Sequence, residues 1–199
     1  QGQVIPATGI DVMLWAELED GEKIFGESLI GKSVKPISRI GCLPENPPAL
    51  KNAIEAIKEA DLIVLGPGSL YTSLLPNLLV PEIVEELLKN NSPKIYISNL
   101  MTQPGETDGL DVYQHIKSIE KQLFNFGVNT RIFNAILSQG EFEGSSLIDY
   151  YRSRGAEPVI CNKKRLVSEG YHVLQAPLYS KRITPTLRHD YRRLARAVM

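Results

Sequence analysis

Residues 60–73 read Ala60-Asp61-Leu62-Ile63-Val64-Leu65-Gly66-Pro67-Gly68-Ser69-Leu70-Tyr71-Thr72-Ser73. Four consecutive apolar residues at 62–65 are typical of a short strand that is covered on both faces, as in a parallel sheet. The strand is expected to end at Gly66. The turn after it predicts a helix that starts at Ser69, with Ser69 as its N-cap. This stretch therefore predicts a strand–turn–helix unit of an α/β fold.

The same turn is a candidate binding site. Gly66 and Gly68 can take positive φ and allow a ligand to approach the backbone closely. The N–H groups of Gly68, Ser69 and Leu70 are expected to point together into a concavity that suits an anion. The neighbouring hydroxyl groups, which favour phosphate or sugar ligands, belong to Ser69, Tyr71, Thr72 and Ser73. The simpler alternative is a tight turn with no ligand.

Composition limits the class of protein. The 199 residues carry a formal net charge of −1, and 43% of them are hydrophobic. These values are typical of a soluble globular protein and give no sign of a nucleic-acid partner. Cys42 and Cys161 lie far apart, which indicates reduced thiols and a cytoplasmic location. No apolar run reaches the roughly 18 residues of a membrane span. Because the chain starts at Gln1 without Met, we expect an N-terminal part to be missing.

Strands and helices are expected to alternate after the glycine turn. The predicted helices are residues 81–90, 112–126, 145–154 and 187–198, and the predicted strands are 94–98, 131–137, 158–161 and 171–176. Alternation of this kind predicts a mostly parallel sheet with helices on both faces.

The first part of the chain has a different pattern. Residues 10–18 alternate apolar and polar, Asp20 and Gly21 form a turn signal, and residues 23–25 can return as a partner strand. Residues 36–43 are a further extended run. Asn46 is expected to cap a helix that has Pro47 at its first position. We therefore predict a small antiparallel hairpin insertion near the N-terminus.

Residues 26–33 match the phosphate-loop pattern G-x-x-x-x-G-K-[ST] in full, with Lys32 and Ser33 at its end. A functional phosphate loop lies between a buried strand and a helix. Here the preceding run is short and polar, and Pro36 occupies the place of the helix. A surface loop is the expected structure, and an NTPase remains a minor alternative.

A second polar loop, residues 99–109, follows the predicted strand 94–98. Long polar loops after strands often carry function. Its candidate ligand-binding residues are Thr102, Gln103, Glu106 and Thr107, and Asp108 is an alternative helix cap. Because both loops follow neighbouring strands, we expect them to face one crevice.

A third candidate is Arg188-His189-Asp190, which precedes a helix rich in arginine. The alternative is a solvated helix face. His115, His172 and His189 are scattered, so the sequence predicts no metal site. No Ser-His-Asp or Cys-His arrangement is recognisable, and no catalytic residue is assigned.

Residues 60–73, with Pro76-Asn77-Leu78-Leu79-Val80 after them, resemble the signature of the YvcK-type gluconeogenesis factors. These belong to the superfamily of CofD, the 2-phospho-L-lactate transferase. Residues 101–109 resemble the family's second signature. Residues 4–8 and 188–190 resemble flanking landmarks. The family's Gly-Gly-Gly-Thr-Gly turn and Asp-Asp-Gly-Gly-Ser segment do not occur here, so the resemblance is to the C-terminal part.

The resemblance implies one partial CofD-like domain over residues 1–199, with a Rossmann-like three-layer α/β/α fold. It also implies a cytoplasmic UDP-sugar-binding regulator that supports cell shape and growth on gluconeogenic carbon sources. The alternative is a phospholactyl transferase that acts on a deazaflavin with Mg²⁺, near Glu106 or Asp108. A homodimer is left open. The expected ligand-binding residues are Gly66, Gly68, Ser69, Tyr71, Thr72, Ser73, Asn77, Thr102, Gln103, Glu106 and Thr107.

Overall fold

The structure is a computed structural model that describes residues 2–142, 146–180 and 186–199. The described strands are β1 (Met13–Leu18), β2 (Lys23–Phe25), β3 (Ile37–Leu43), β4 (Ile63–Leu65), β5 (Lys94–Ile97), β6 (Ala135–Gln139) and β7 (His172–Ala176). The described α-helices are α1 (Glu27–Ile30), α2 (Lys51–Lys58), α3 (Pro81–Lys89), α4 (Val112–Phe124), α5 (Ser146–Arg152), α6 (Lys163–Ser168) and α7 (Tyr191–Val198). No described helix is both long enough and apolar enough to cross a membrane.

The main sheet is parallel and has the strand order β4-β5-β6-β7. Val64 pairs with Ile95 between β4 and β5, and Leu137 pairs with Leu174 between β6 and β7. Because all four strands run in the same direction, their carboxyl ends lie at one edge of the sheet. The predicted parallel α/β architecture is confirmed.

Alternate residues of these strands enter two separate hydrophobic clusters, one on each face of the sheet. Tyr96 and Ile136 belong to the cluster that also contains residues of α3, α4 and α6. Ile97 and Leu137 belong to the second cluster, against which residues of α5 and α7 pack. The side chains of Tyr96, Ile97, Ile136 and Leu137 are almost completely buried. Helices therefore cover both faces, which confirms the three-layer prediction.

The N-terminal insertion is a three-stranded antiparallel sheet with the order β2-β1-β3. Trp15 is opposite Phe25 on one side and Gly41 on the other. The predicted hairpin is confirmed, and the extended run at residues 36–43 adds the third strand. Ala16 and Leu18 point inward and join the first hydrophobic cluster, so this sheet packs onto the helices of the main core.

The predicted N-cap at Asn46 is wrong. Asn46 has φ = +54°, whereas an N-cap residue is extended, and α2 begins only at Lys51. The residues between them bond elsewhere, because Ala49 donates its amide to Glu82 and Leu50 donates its amide to Ala7. Long-range bonds therefore hold this proline-rich segment out of the helix.

The C-terminal third also differs from the prediction. Residues 158–161 are not a strand; Pro158 forms a single bridge with Met101. Helix α6 was not predicted, although Asn162 accepts a bond from the Arg165 amide and caps it. The last helix, α7, starts at Tyr191 rather than at residue 187. Asp190 caps it, and the backbone of residues 188–190 pairs with that of residues 178–180.

The loop after β5 packs against the loop after α1. Gly105 has φ = +87°, and a Cβ placed on it would lie 1.9 Å from the carbonyl oxygen of Ser33. Two backbones can approach this closely only when the residue has no side chain. Gly105 therefore attaches the antiparallel sheet to the edge of the main sheet where the carboxyl ends lie.

Gly109 in the same loop provides a matched control, because its φ is also positive, at +68°, but no atom lies within 4 Å of its ideal Cβ position. Gly109→Ala should lower the free energy of unfolding by roughly 1 to 2 kcal/mol through backbone strain alone. Gly105→Ala should lower it by roughly a further 1 to 3 kcal/mol because of the clash with Ser33. Urea unfolding measures both. Equal losses would show that the close approach is not a constraint.

Candidate functional site

A cleft of about 750 Å³ lies at the carboxyl ends of β4 and β5. Three segments form most of its walls: the glycine turn after β4, the start of the loop after β5, and the residues just before α7; helix α5 contributes Tyr151. The lining residues are Pro67, Gly68, Ser69, Asn99, Leu100, Met101, Thr102, Gln103, Tyr151, Leu187, Arg188 and His189. The two predicted loops therefore face one crevice, and the Arg188 segment forms a third wall.

The turn after β4 depends on Gly66. Its φ is +96°, and a Cβ there would lie 2.5 Å from the carbonyl oxygen of Ile97 in the neighbouring strand. Gly68 differs from the expectation, because its φ is not positive and its ideal Cβ position would meet the side chain of Leu74 at 3.1 Å. A glycine is therefore needed at position 66 for the backbone conformation of the turn, and at position 68 to leave room for the side chain of Leu74.

The predicted nest of three amides is also corrected. The Gly68 amide donates to Oδ1 of Asn99 at 3.1 Å, and Nδ2 of Asn99 donates to the Gly68 carbonyl at 2.9 Å. Asn99 was not among the predicted ligand-binding residues. Its side chain bonds to both the N–H and the carbonyl of Gly68. Of the three amides that the nest was predicted to contain, those of Ser69 and Leu70 have no acceptor among the described residues.

Ser69 does not act as a helix cap. A π-helical turn, Leu70–Leu74, follows it and then a 3₁₀ helix, Leu75–Leu79. The Ser69 side chain makes no capping bond; its Oγ accepts a bond from Nε2 of Gln103 at 2.7 Å instead. Ser69 and Gln103 therefore join the two strand-end loops inside the cleft.

The remaining predicted residues of the first loop lie outside the cleft lining. The Tyr71 side chain is buried, and its hydroxyl is 3.3 Å from Oγ of Ser118. Thr72 donates to Glu106. Ser73 and Asn77 are exposed, and Nδ2 of Asn77 donates to the Ser73 carbonyl at 2.8 Å. These side chains stabilise the turn and the helical segments after it.

Two threonines of the second loop are structural. Oγ1 of Thr102 accepts a bond from the Glu157 amide, and the Thr102 amide donates to the Glu157 carbonyl. Thr107 is completely buried, and its Oγ1 accepts a bond from the Gln103 amide at 2.8 Å. Asp108 accepts from the Gly105 amide, whereas Asp111 caps α4. These bonds fix the backbone from which the Gln103 side chain projects.

Glu106 is buried between the turn after β4 and the loop after α1. Oε1 accepts a bond from the Thr72 hydroxyl at 3.1 Å, and Oε2 has no partner among the described residues. Burial raises the pKa of this carboxyl, and the nearby charge of Glu27 raises it further. Hydrogen bonds from the Thr72 hydroxyl and the Tyr71 amide oppose the rise.

A raised pKa makes the stability of the protein depend on pH. As pH rises from about 4.5 through the pKa of the folded state, the folded protein retains a proton that the unfolded chain has released, so the free energy of unfolding falls. Glu106→Gln keeps an acceptor for Thr72 and removes this titration. Measured by urea unfolding from pH 4 to 8, its stability relative to the unmodified protein should increase with pH. A difference that is constant with pH would contradict the assignment.

The segment before α7 reaches the cleft through backbone pairing. His189 bridges to Tyr179, and the Leu187 amide donates to the Tyr151 hydroxyl at 3.1 Å. Burial lowers the pKa of His189, and a bond to the Ser98 carbonyl opposes this shift. Tyr151 was missed by sequence reasoning, because nothing in its local pattern distinguishes it from other residues of an amphipathic helix.

The phosphate-loop pattern at residues 26–33 lies elsewhere. It follows the short strand β2 and contains α1, a helix of four residues. Ser33 is buried, and its Oγ accepts a bond from the Lys35 amide at 3.2 Å. In this context the backbone does not form a phosphate cradle between a buried strand and a helix. Among the described residues, no group of three or more His, Cys, Asp or Glu side chains could hold a metal ion.

A family model described as 2-phospho-L-lactate transferase CofD matches residues 1–179. This chain belongs to the CofD family. The match covers the antiparallel sheet, the parallel sheet and both strand-end loops of the cleft.

Several relatives of this CofD-family chain are named gluconeogenesis factors. The one from Halalkalibacterium halodurans is 38% identical over 199 residues, which are 100% of this chain and 60% of the relative. The one from Bacillus subtilis is 37% identical over 195 residues, which are 98% of this chain and 60% of the relative. A relative from Nostoc sp. is 42% identical, and this chain covers 43% of its length.

The crystal structure of a UPF0052-family protein from Bacillus halodurans has the same fold. The TM-score is 0.90 at 38% sequence identity, and the alignment covers 99% of this chain and 61% of the other. This CofD-family chain therefore spans about 40 to 60% of the length of the relatives that it matches.

Proposed function

We propose that this CofD-family protein is a gluconeogenesis factor: a cytoplasmic regulator that binds a UDP-sugar in the cleft at the carboxyl ends of β4 and β5, in support of cell shape and growth on gluconeogenic carbon sources. The observation that supports the proposal best is a set of hydrogen-bond donors, in and beside the cleft, that have no backbone or carboxylate acceptor among the described residues. The names of the relatives support the regulatory role.

The donors suit a diphosphate. The amides of Ser69 and Leu70 have no acceptor among the described residues and lie at the start of a helical segment. Arg188 is exposed, and no carboxylate in the described chain pairs with it. Among its side-chain nitrogens, Nε donates to Oγ1 of Thr186. Arginine and backbone amides are the groups that proteins use to bind phosphate oxygens.

The rest of the cleft suits a nucleoside and a sugar. Leu100, Met101, Leu187 and the ring of Tyr151 supply apolar surface for a flat base, while the side-chain amide of Gln103 supplies a polar group. A volume of about 750 Å³ lies within the roughly 300–1,000 Å³ that is usual for small-molecule sites.

The family description favours a second candidate, a phospholactyl transferase that uses Mg²⁺. The described residues fit a magnesium ion poorly. Glu106 is buried beside the cleft and bonded to Thr72, and Asp108 accepts a bond from the Gly105 amide, so the two carboxylates do not converge on one point of the cleft. We therefore assign no step of a reaction to the ion.

Titration calorimetry with UDP-N-acetylglucosamine tests the first proposal. Arg188→Ala should weaken binding about tenfold or more, because it removes charged hydrogen bonds to phosphate. Ser69→Trp should abolish binding by filling the cleft, while the far-ultraviolet circular dichroism of the protein stays unchanged. Arg192→Ala is the matched control; Arg192 lies outside the cleft lining, and its Nε contacts the Tyr191 hydroxyl, so binding should not change.

Thermal unfolding gives an independent measurement. A ligand at 100 times its Kd stabilises the native state by about 2.7 kcal/mol, so the melting temperature should rise. No shift at a large excess of UDP-N-acetylglucosamine would contradict nucleotide-sugar binding. Turnover of a deazaflavin acceptor with an activated phospholactyl donor would support the transferase instead.

A further inference from the structure

We infer that Asn99 and Gln103 are positioning residues that turn the hydrogen of the Ser69 hydroxyl toward the cleft, so that Ser69 presents a hydrogen-bond donor to an acceptor atom of the ligand. The part of this inference that concerns the ligand rests on the function proposed above. The part that concerns side-chain orientation rests on the protein alone.

The orientation starts at a backbone peptide. An N–H group can only donate and a carbonyl can only accept. The Gly68 amide faces one end of the Asn99 side chain at 3.1 Å, and the Gly68 carbonyl faces the other end at 2.9 Å. The first end must therefore be Oδ1 and the second Nδ2. The Gly68 peptide thus fixes which way the Asn99 amide points.

Asn99 then determines the orientation of Gln103. Nδ2 of Asn99 has a second hydrogen, and Nδ2 lies 3.4 Å from the nearer end of the Gln103 side chain. Since Nδ2 cannot accept, the nearer end of Gln103 must be its oxygen, Oε1. The backbone of Gln103 is held as well, because its amide donates to Thr107 and its carbonyl accepts from the amides of Glu106 and Thr107.

Gln103 in turn determines the role of Ser69. With Oε1 directed at Asn99, the end of Gln103 that lies 2.7 Å from Oγ of Ser69 is Nε2, a donor. Oγ of Ser69 therefore accepts, and the hydrogen of its hydroxyl is left to donate elsewhere. Ser69 and Gln103 both line the cleft, so this hydrogen is available to a ligand.

The consequence is a selectivity for acceptors. Ser69 lines the cleft, and both its hydroxyl hydrogen and its backbone amide are without an acceptor among the described residues. A phosphate oxygen, which only accepts, satisfies them, whereas an amide N–H of a ligand would leave a donor facing a donor. The arrangement therefore favours the diphosphate, whose oxygens only accept, at this position.

The first test needs no ligand. In ¹H–¹⁵N spectra of the protein, Asn99→Asp, which removes Nδ2, should shift both the Gly68 amide and the side-chain NH₂ of Gln103 and should speed the hydrogen exchange of that NH₂. Ser69→Ala should also shift the Gln103 NH₂. Asn91→Asp is the matched control, because Asn91 is exposed and precedes β5, whereas both loops follow the carboxyl ends of their strands. A Gln103 NH₂ signal that is unchanged in both variants would overturn the inferred orientation.

The second test measures coupling in binding. For UDP-N-acetylglucosamine, Ser69→Ala and Gln103→Met should each raise Kd about 3- to 10-fold. The double variant should bind no more weakly than Ser69→Ala, because Gln103 acts through Ser69. Losses that simply add would overturn the positioning role. Gln103→Glu, which also lacks the donor, provides a second variant if Gln103→Met does not fold.

The two proposals fail in different ways. If Arg188→Ala weakens binding and Ser69→Ala does not, the ligand occupies the cleft but the inference about Ser69 is wrong. If the unmodified protein does not bind UDP-N-acetylglucosamine, the proposed function is wrong, and the spectra still decide the orientation of Asn99 and Gln103.

Discussion

The Asn99 side chain pairs with both backbone polar groups of Gly68, and this pairing joins the ends of two neighbouring parallel strands. The other features of the cleft depend on it. The turn after β4 must pass close to Ile97, which Gly66 permits, and Asn99 then fixes the next peptide. Because the bond partners are a side chain and a backbone 31 residues apart, the position of the Gly68 backbone depends on the pairing of the two strands as well as on the glycines of the turn.

The loop after β5, residues 99–109, also bonds to segments other than the glycine turn. Thr102 bonds to the backbone of Glu157, Thr107 supports the Gln103 amide, and Gly105 lies directly on the backbone of Ser33. The Gln103 side chain therefore projects from a rigid segment. Binding sites benefit from such support, since a ligand then meets groups that are already in place. In this protein, buried hydroxyl groups stabilise the loop and partly exposed groups line the cleft.

The sequence predicted the fold and the location of the cleft well, and it predicted the individual roles of the side chains less well. Apolar runs and turn signals located β4, β5 and the two loops after them. The rule that parallel strands present their carboxyl ends at one edge then predicted a shared crevice. Predictions from local sequence patterns were wrong where hydrogen bonds to distant residues determine the backbone. Asn46 has the sequence pattern of an N-cap, but the residues after it bond to Ala7 and Glu82. Helix α6 was missed because its six residues are too few to show a period.

The sequence by itself determined the parallel sheet, the glycine turn and the polar loop, because hydrophobic periodicity and backbone restrictions are local properties of the chain. Only the tertiary structure decided which polar groups face the cleft. Tyr71 and Thr107 are buried, whereas Ser69, Gln103 and Arg188 line the opening or its rim. Hydrogen bonds such as the one between Ser69 and Gln103 connect residues 34 positions apart, and their geometry exists only after the strands have paired.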